Sequence, residues 1–286
     1  MHRIGTAVVP ATDFTRGELT ALWNRAYEGY FVPIRSDEQI FARHLRRAAV
    51  DLALSRVITV DGVPCGISLT GRRGLRGYLA GFGIAGAHRR QGLARQLIEA
   101  QAEAWSKAGL HHISLEVIAQ NTARALYGQA GFEELRTLDV LEGSFEVRSA
   151  VASRQLDPTE LAAVHTACAA VSCPTWRREL PTVRDAIDNE NAIALGVTRG
   201  TALVAYAVIP PTGTALLDAA AIDDAAAHDL LDALAAARPG TRWRLVDEPT
   251  GSPLFHAATA RDATAVIRQI DMALPLHPFA NVRPSP

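Results

Sequence analysis

Between His88 and Leu97 the chain reads His-Arg-Arg-Gln-Gly-Leu-Ala-Arg-Gln-Leu, with two arginines and a glycine where an apolar-striped helix begins. The first N–H groups of a helix point outward without partners, and the helix dipole adds positive potential there. A glycine at such a point lets an anion approach the backbone, and Arg89, Arg90 and Arg95 would add charge-assisted donors. The chemistry this turn can serve is phosphate binding; the plain alternative is a solvated arginine face. Downstream, Glu116 stands between Leu115 and Val117 in an alternating run, which turns its carboxylate away from the layer those two fill. His111 and His112 open the same run, either as bases or as exposed edge residues. They lack the spacing of paired metal ligands, and no metal is expected.

The surrounding pattern shows what must hold these groups. Thr15-Arg16-Gly17-Glu18 and Ser36-Asp37-Glu38-Gln39 both read as capping boxes and predict two short helices. Between them lies an aromatic stretch, Ala26 to Ile34, closed by Pro33. Two strand-like runs follow across Asp61-Gly62, a strong hairpin signal. A third strand is interrupted by Gly81 and Gly83, which suggests a bulge or a close backbone approach to a ligand. Leu93, Leu97, Ala100 and Ala104 then recur at helical spacing, and Gly109 is placed to end that helix. A strand, a short helix and a closing strand after Gly131-Phe132 complete a mixed α/β pattern.

Two stretches of this region are more specific. Arg89-Arg90-Gln91-Gly92-Leu93-Ala94 fits the pattern Arg/Gln-x-x-Gly-x-Gly/Ala. Leu115-Glu116-Val117 is followed by a stretch that matches Asn-x-x-Ala-x-x-Leu-Tyr-x-x-x-Gly-Phe at Ala123, Leu126, Tyr127, Gly131 and Phe132. With the glycine-punctured strand ahead of them, these ordered motifs resemble the GNAT superfamily, the acetyl-CoA-dependent N-acetyltransferases, over residues 5–145. The sequence departs from the pattern once. Gln120 holds the asparagine position and Asn121 follows it, which leaves two candidate amides for the cofactor arm.

The resemblance implies an α/β (α+β) fold, a mixed and mostly antiparallel sheet flanked by helices. It places acetyl-CoA, as co-substrate, in a cleft where the fourth and fifth strands part. The pyrophosphate would sit on the stretch Arg89, Arg90, Gln91, Gly92, Leu93, Ala94 and Arg95, and the pantetheine arm would pair with Phe82, Gly83 and Ile84. A backbone N–H there would polarise the thioester carbonyl. Tyr127, at the motif tyrosine, would be the acid for the departing thiolate, or else a packing ring. Glu116 would orient the amine or accept its proton through water, or else serve as a structural carboxylate. Tyr27, Tyr30 and Phe31 belong to the segment that roofs the acceptor side in similar proteins, lining either the substrate pocket or the core.

Asp157-Pro158-Thr159-Glu160 starts a new helix after a lapse in pattern, and hairpin, strand, helix and strand then recur in their first order. An internal duplication follows from that order. In place of the arginine–glycine turn, the second copy has Asp223-Asp224, which would cap a helix and repel a pyrophosphate. Ser252 to Ala260 replaces the tyrosine helix and carries Phe255-His256. We therefore expect a catalytic domain over residues 1–147, a degenerate GNAT-like domain over 148–275 and a loosely ordered tail over 276–286. Mycothiol synthases resemble tandem pairs of this fold with the catalytic copy second. Here it is first, so that substrate is not carried over.

The composition agrees with two ordinary domains in 286 residues. A net charge of −1 argues against a nucleic-acid or anionic-membrane partner. Three cysteines without metal-like spacing, and no stretch of signal-peptide or membrane-spanning character, predict a cytoplasmic protein. The expected activity is N-acetylation of a small-molecule amine or a peptide N-terminus, by a monomer or a homodimer. The competing expectation is an acyl-CoA-binding sensor that keeps the cofactor site without catalysis.

Overall fold

Residues 5–276 are described by a computed structural model of the chain. They form two compact units that interleave in sequence. The first takes the chain to Leu115, then Asn121–Glu134 and the chain from Met272; the second takes Glu116–Gln120 and Leu135–Asp271.

The first unit contains β1 (Thr6–Pro10), α1 (Arg16–Ala26), α2 (Glu38–Arg47), β2 (Arg56–Val60), β3 (Val63–Arg73), β4 (Arg76–Ile84), α3 (Leu93–Lys107), the start of β5 (His112–Ile118) and α4 (Ala123–Gln129). Local chemistry sets most of these ends. Thr15 and Glu18 close the expected capping box on α1. The cap of α2 falls one residue later than the sequence suggests: Asp37, not Ser36, accepts from the Gln39 and Ile40 N–H groups. A carboxylate is the stronger acceptor for two N–H groups. Asp61 and Gly62 both take positive φ (50° and 80°), which a two-residue hairpin turn demands. The strands order as β1-β2-β3-β4-β5, antiparallel except for the parallel β4–β5 pair. Leu93 and Leu97 of α3 pack on Ile58, Cys65 and Ile84 of this sheet.

The second unit holds most of β6 (Glu133–Ser144), then β7 (Ser153–Gln155), α5 (Pro158–Ser172), α6 (Leu180–Glu190), β8 (Ile193–Arg199), β9 (Ala202–Ile209), β10 (Asp218–Ala221), α7 (Asp224–Ala237), β11 (Arg242–Pro249), α8 (Pro253–Thr259) and β12 (Thr264–Pro275) up to Asp271. Hairpin, strand, helix and strand recur here as β8–β9, β10, α7 and β11, the order expected from an internal repeat. Where the sequence suggests one boundary at residue 147, the units exchange strands. Past Glu134, β6 joins the second unit because it ladders antiparallel with β11 through pairs such as Leu141↔Leu245. From Met272, β12 returns to the first unit, where the Leu276 N–H donates to the His111 carbonyl at 2.9 Å. The apolar core of the second unit gathers on α7, whose Leu230, Leu231 and Leu234 are fully buried beside Trp243. Beyond Leu276, the expected tail lies outside the described residues.

Candidate active site

The geometry of β4 creates the site. It pairs in parallel with β5 only from Arg76↔His112 to Tyr78↔Ser114. A bulge follows, since the β3 register jumps from Thr70↔Leu79 to Leu69↔Gly81 and leaves Ala80 extra. Beyond the bulge β4 continues to Ile84 along β3 alone. The Ala85 N–H donates to Cys65 O on β3 at 2.8 Å. Strand alternation therefore turns the N–H groups of Phe82 and Ile84 to the open edge. The bulge expected from these glycines is thus present beside Gly81, and the glycines also make room for a helix. A Cβ on Gly81 would stand 2.3 Å from the Trp23 ring, and one on Gly83 would stand 3.1 Å from Ala26. They let α1 press onto β4.

From Ile84 the chain turns into α3 through two left-handed residues, Arg90 (φ 63°) and Gly92 (φ 78°). Gly92 is the N-cap of α3 and makes no side-chain cap bond, whereas Thr15 and Asp37 do cap α1 and α2. The first-turn N–H groups of a fifteen-residue helix are thus left without a side-chain acceptor. The side chain of Arg89 is occupied elsewhere. It donates to three backbone carbonyls, Ile84 at 2.9 Å and Ala26 and Glu28 at 3.0 Å each. Arg95 is 74% exposed and pairs with Glu99 one turn on, and Gln91 donates to Ala87 O.

The parted strand and the uncapped helix start bound a cleft of about 620 Å³. Its walls include Phe82, Gly83, Ile84, Arg89, Arg90, Gly92, Leu93, Ala94, Arg95, Asn121, Tyr30 and Phe31, all named from sequence. They also include Ala123 and Leu126, matched above as motif positions, and Ala26, Gly29, His88 and Thr122, which are not named there as site residues. Of the two candidate amides, Asn121 lines the cleft and Gln120 does not. Asn121 accepts from the Ala123 N–H at 2.9 Å and donates to the Tyr30 hydroxyl at 3.5 Å. Gln91 also lies outside the lining set.

Tyr127 sits behind this wall, 6% exposed, between the rings of Phe82 and Phe132 at 5.9 and 5.8 Å. Burial, with the neighbouring Tyr27 and Tyr30, raises its phenol well above the ordinary 10.0. It keeps its proton through neutral pH. Tyr27 lines a second pocket of about 570 Å³ with Gly29 and Tyr30, residues common to both cavities. Glu116 falls in the second unit, with Oε2 3.7 Å from Nε of Arg177, which in turn bonds Asp247 at 2.6 Å.

The second unit carries a charged cluster invisible to local sequence reading. The chain leading into β10 meets β11 in parallel at the single bridge Ala215↔Arg244, and β10 itself does not ladder with β11. Arg178, 3% exposed, fills the gap. It bonds Asp218 on β10 at 2.7 Å, and Glu248 and the Asp247 carbonyl on β11 at 2.9 and 2.8 Å. Tyr206 donates its hydroxyl proton to Asp218 as well. No group of three or more His, Cys, Asp or Glu suited to a metal occurs among the described residues. Nor is any described helix long and apolar enough to cross a membrane.

Residues 38–144 match the family model of the acetyltransferase (GNAT) domain. No curated protein matches the chain. Among solved structures, the chain is similar to a GCN5-related N-acetyltransferase from Sphaerobacter thermophilus at TM-score 0.66 and 15% identity, covering 97% of both chains. It is also similar to a tandem GNAT protein from the clavulanic acid biosynthesis pathway at TM-score 0.65 and 14% identity, covering 96% of this chain and 99% of that one. At such identities the likeness is one of fold.

Proposed function

We propose that this chain, whose residues 38–144 match the acetyltransferase (GNAT) domain, transfers an acetyl group from acetyl-CoA to a primary amine by direct attack in a ternary complex. One observation carries this reading: β4 leaves β5 after Tyr78↔Ser114 and runs free over the uncapped start of α3. The free edge offers outward N–H groups, and the helix start offers an anion site, so the donor set fits a pantetheine arm ending in a pyrophosphate.

The N–H groups from Gly92 to Arg95 would hold the pyrophosphate, with Arg90 adding charge from the exposed turn. Arg89 would act indirectly, by fixing the end of β4 to the end of α1. Asn121, not Gln120, is the amide available to the arm. Bound acetyl-CoA supplies an activated acyl group as its thioester. The Phe82 N–H, turned to the open edge, would polarise the acyl carbonyl toward attack by the amine. As the carbon–sulfur bond breaks, Tyr127 would hand its phenolic proton to the sulfur, and the proton that the attacking amine loses would pass through water to restore the phenol. Tyr30 and Phe31 would face the acceptor, a small amine or a peptide N-terminus.

Thiol release in the presence of acetyl-CoA and a panel of amines tests this directly. Amine-dependent release supports the transferase. Cofactor binding without release for any amine would leave an acyl-CoA sensor instead.

A further inference from the structure

Tyr27 is the last residue before the α1 chain turns away, and its position is fixed from three sides. Arg89 holds the carbonyls of Ala26 and Glu28, its two chain neighbours, against the end of β4. Its ring packs on Trp23 at 4.3 Å and meets Tyr30 edge-on at 5.2 Å. A glycine at 81 leaves room for both rings, since a Cβ there would stand 2.3 Å from Trp23 and 3.2 Å from the Tyr27 hydroxyl. The result is a hydroxyl that accepts the Phe82 N–H at 3.1 Å.

That N–H is the donor assigned above to the acyl carbonyl, so this inference rests on the acetyl-CoA reading. An N–H at the open edge of a cleft has one strong acceptor at a time. We propose that the Tyr27 hydroxyl is a placeholder for the acyl oxygen. It satisfies Phe82 in the ligand-free chain, yields the N–H to an acyl thioester, and remains in place when free CoA binds. Because free CoA lacks the acyl carbonyl that would take the Phe82 N–H, Tyr27 weighs against acetyl-CoA and not against CoA. It is a positioning and specificity residue, set by Arg89 and acting through Phe82.

Calorimetric titration of acetyl-CoA and of CoA into the full chain and into Tyr27→Phe tests this. The variant keeps the ring on Trp23 and removes only the hydroxyl. The ratio of CoA to acetyl-CoA dissociation constants should rise about fivefold, the worth of one net hydrogen bond. An unchanged ratio, or one that falls, overturns the placeholder role. A second measurement needs no substitution. With 15N-phenylalanine labelling of the eight phenylalanines, the Phe82 amide resonance of the wild-type chain should move on adding acetyl-CoA and stay on adding CoA. Equal movement with both ligands overturns the proposal even if the variant does not fold. Failure of the wild-type chain to bind either ligand is a different result: it overturns the acetyl-CoA reading, and this inference with it.

Discussion

The guanidinium of Arg178 reaches Asp218 at 2.7 Å and Glu248 at 2.9 Å, tying β10 to β11 where the two strands stand apart. In the first unit the corresponding parting of β4 from β5 is an open cleft; in the second it is filled from within. Asp223, which the sequence offers as an electrostatic barrier to a pyrophosphate, has a local job. It caps α7 through the Ala226 N–H at 2.7 Å and pairs with Arg199 at 3.2 Å. The steric plug is therefore the better reason to expect no cofactor there. Calorimetry should return one acetyl-CoA per chain, and two equivalent sites would refute the filled cleft. Arg178→Met should lower stability by about 3–5 kcal/mol, because Asp218 and Glu248 would be left buried without their cation. A fall in thermal midpoint of under a degree would mean the cluster is not structural.

Gly92 makes a second prediction, for a reason the structure revises. A Cβ at this position meets nothing within 4 Å, so crowding by the protein is not what requires glycine. Its φ of 78° is. Gly92→Val forces a β-branched residue into the left-handed region or moves the turn, and either outcome re-aims the first N–H groups of α3. Acetyl-CoA affinity should fall by at least about tenfold while the fold survives, given that a charge-assisted hydrogen bond is worth about 1.5–3 kcal/mol. Unchanged affinity in a folded variant would remove the pyrophosphate from this turn.

Tyr127→Phe separates binding from chemistry. The ring would keep its packing on Phe82 and Phe132. With the hydroxyl gone, turnover should drop by roughly 10²- to 10⁴-fold, the range for losing a positioned proton donor, and cofactor affinity should hold. Stopped assays of thiol release alongside calorimetry make the comparison. Normal turnover would assign the proton to another group.

What the sequence makes legible here is local or periodic. The Thr15 cap, the Asp61-Gly62 turn and the stripe of α3 each depend on residues within a few positions of one another. So does the glycine turn at 92. The groups that escape it act across distance. Arg89 looks like a phosphate ligand because its acceptors Ala26 and Glu28 lie 63 and 61 residues upstream. Arg178 has no motif at all, since Asp218 and Glu248 lie 40 and 70 residues away on separate strands. Alternation correctly gives Glu116 a polar direction, but its Arg177 partner belongs to another helix-linked loop. The exchange of β6 and β12 between units is hidden for the same reason: a strand's pattern reports its faces, not its neighbour.

Asp232 supplies a pH-dependent prediction. It is buried on α7 and accepts from the Arg148 and Ser149 N–H groups, the Ser149 hydroxyl and Arg261. Burial alone would raise its carboxyl, but Arg261 and these donors outweigh that and hold it below its ordinary 3.8. A carboxyl whose folded-state value is depressed contributes stability that is complete above the unfolded value. That contribution is lost as pH falls through the folded value. Near neutrality Asp232 should therefore give the wild-type thermal midpoint no pH dependence, and the midpoint should fall with acid from about pH 4 downward. Asp232→Asn cannot titrate. It should be less stable at pH 7, with Arg261 left facing a weaker acceptor, and its midpoint should fall less steeply below pH 4 than that of the wild type. Parallel acid limbs for the two proteins would show that Asp232 does not carry the acid sensitivity.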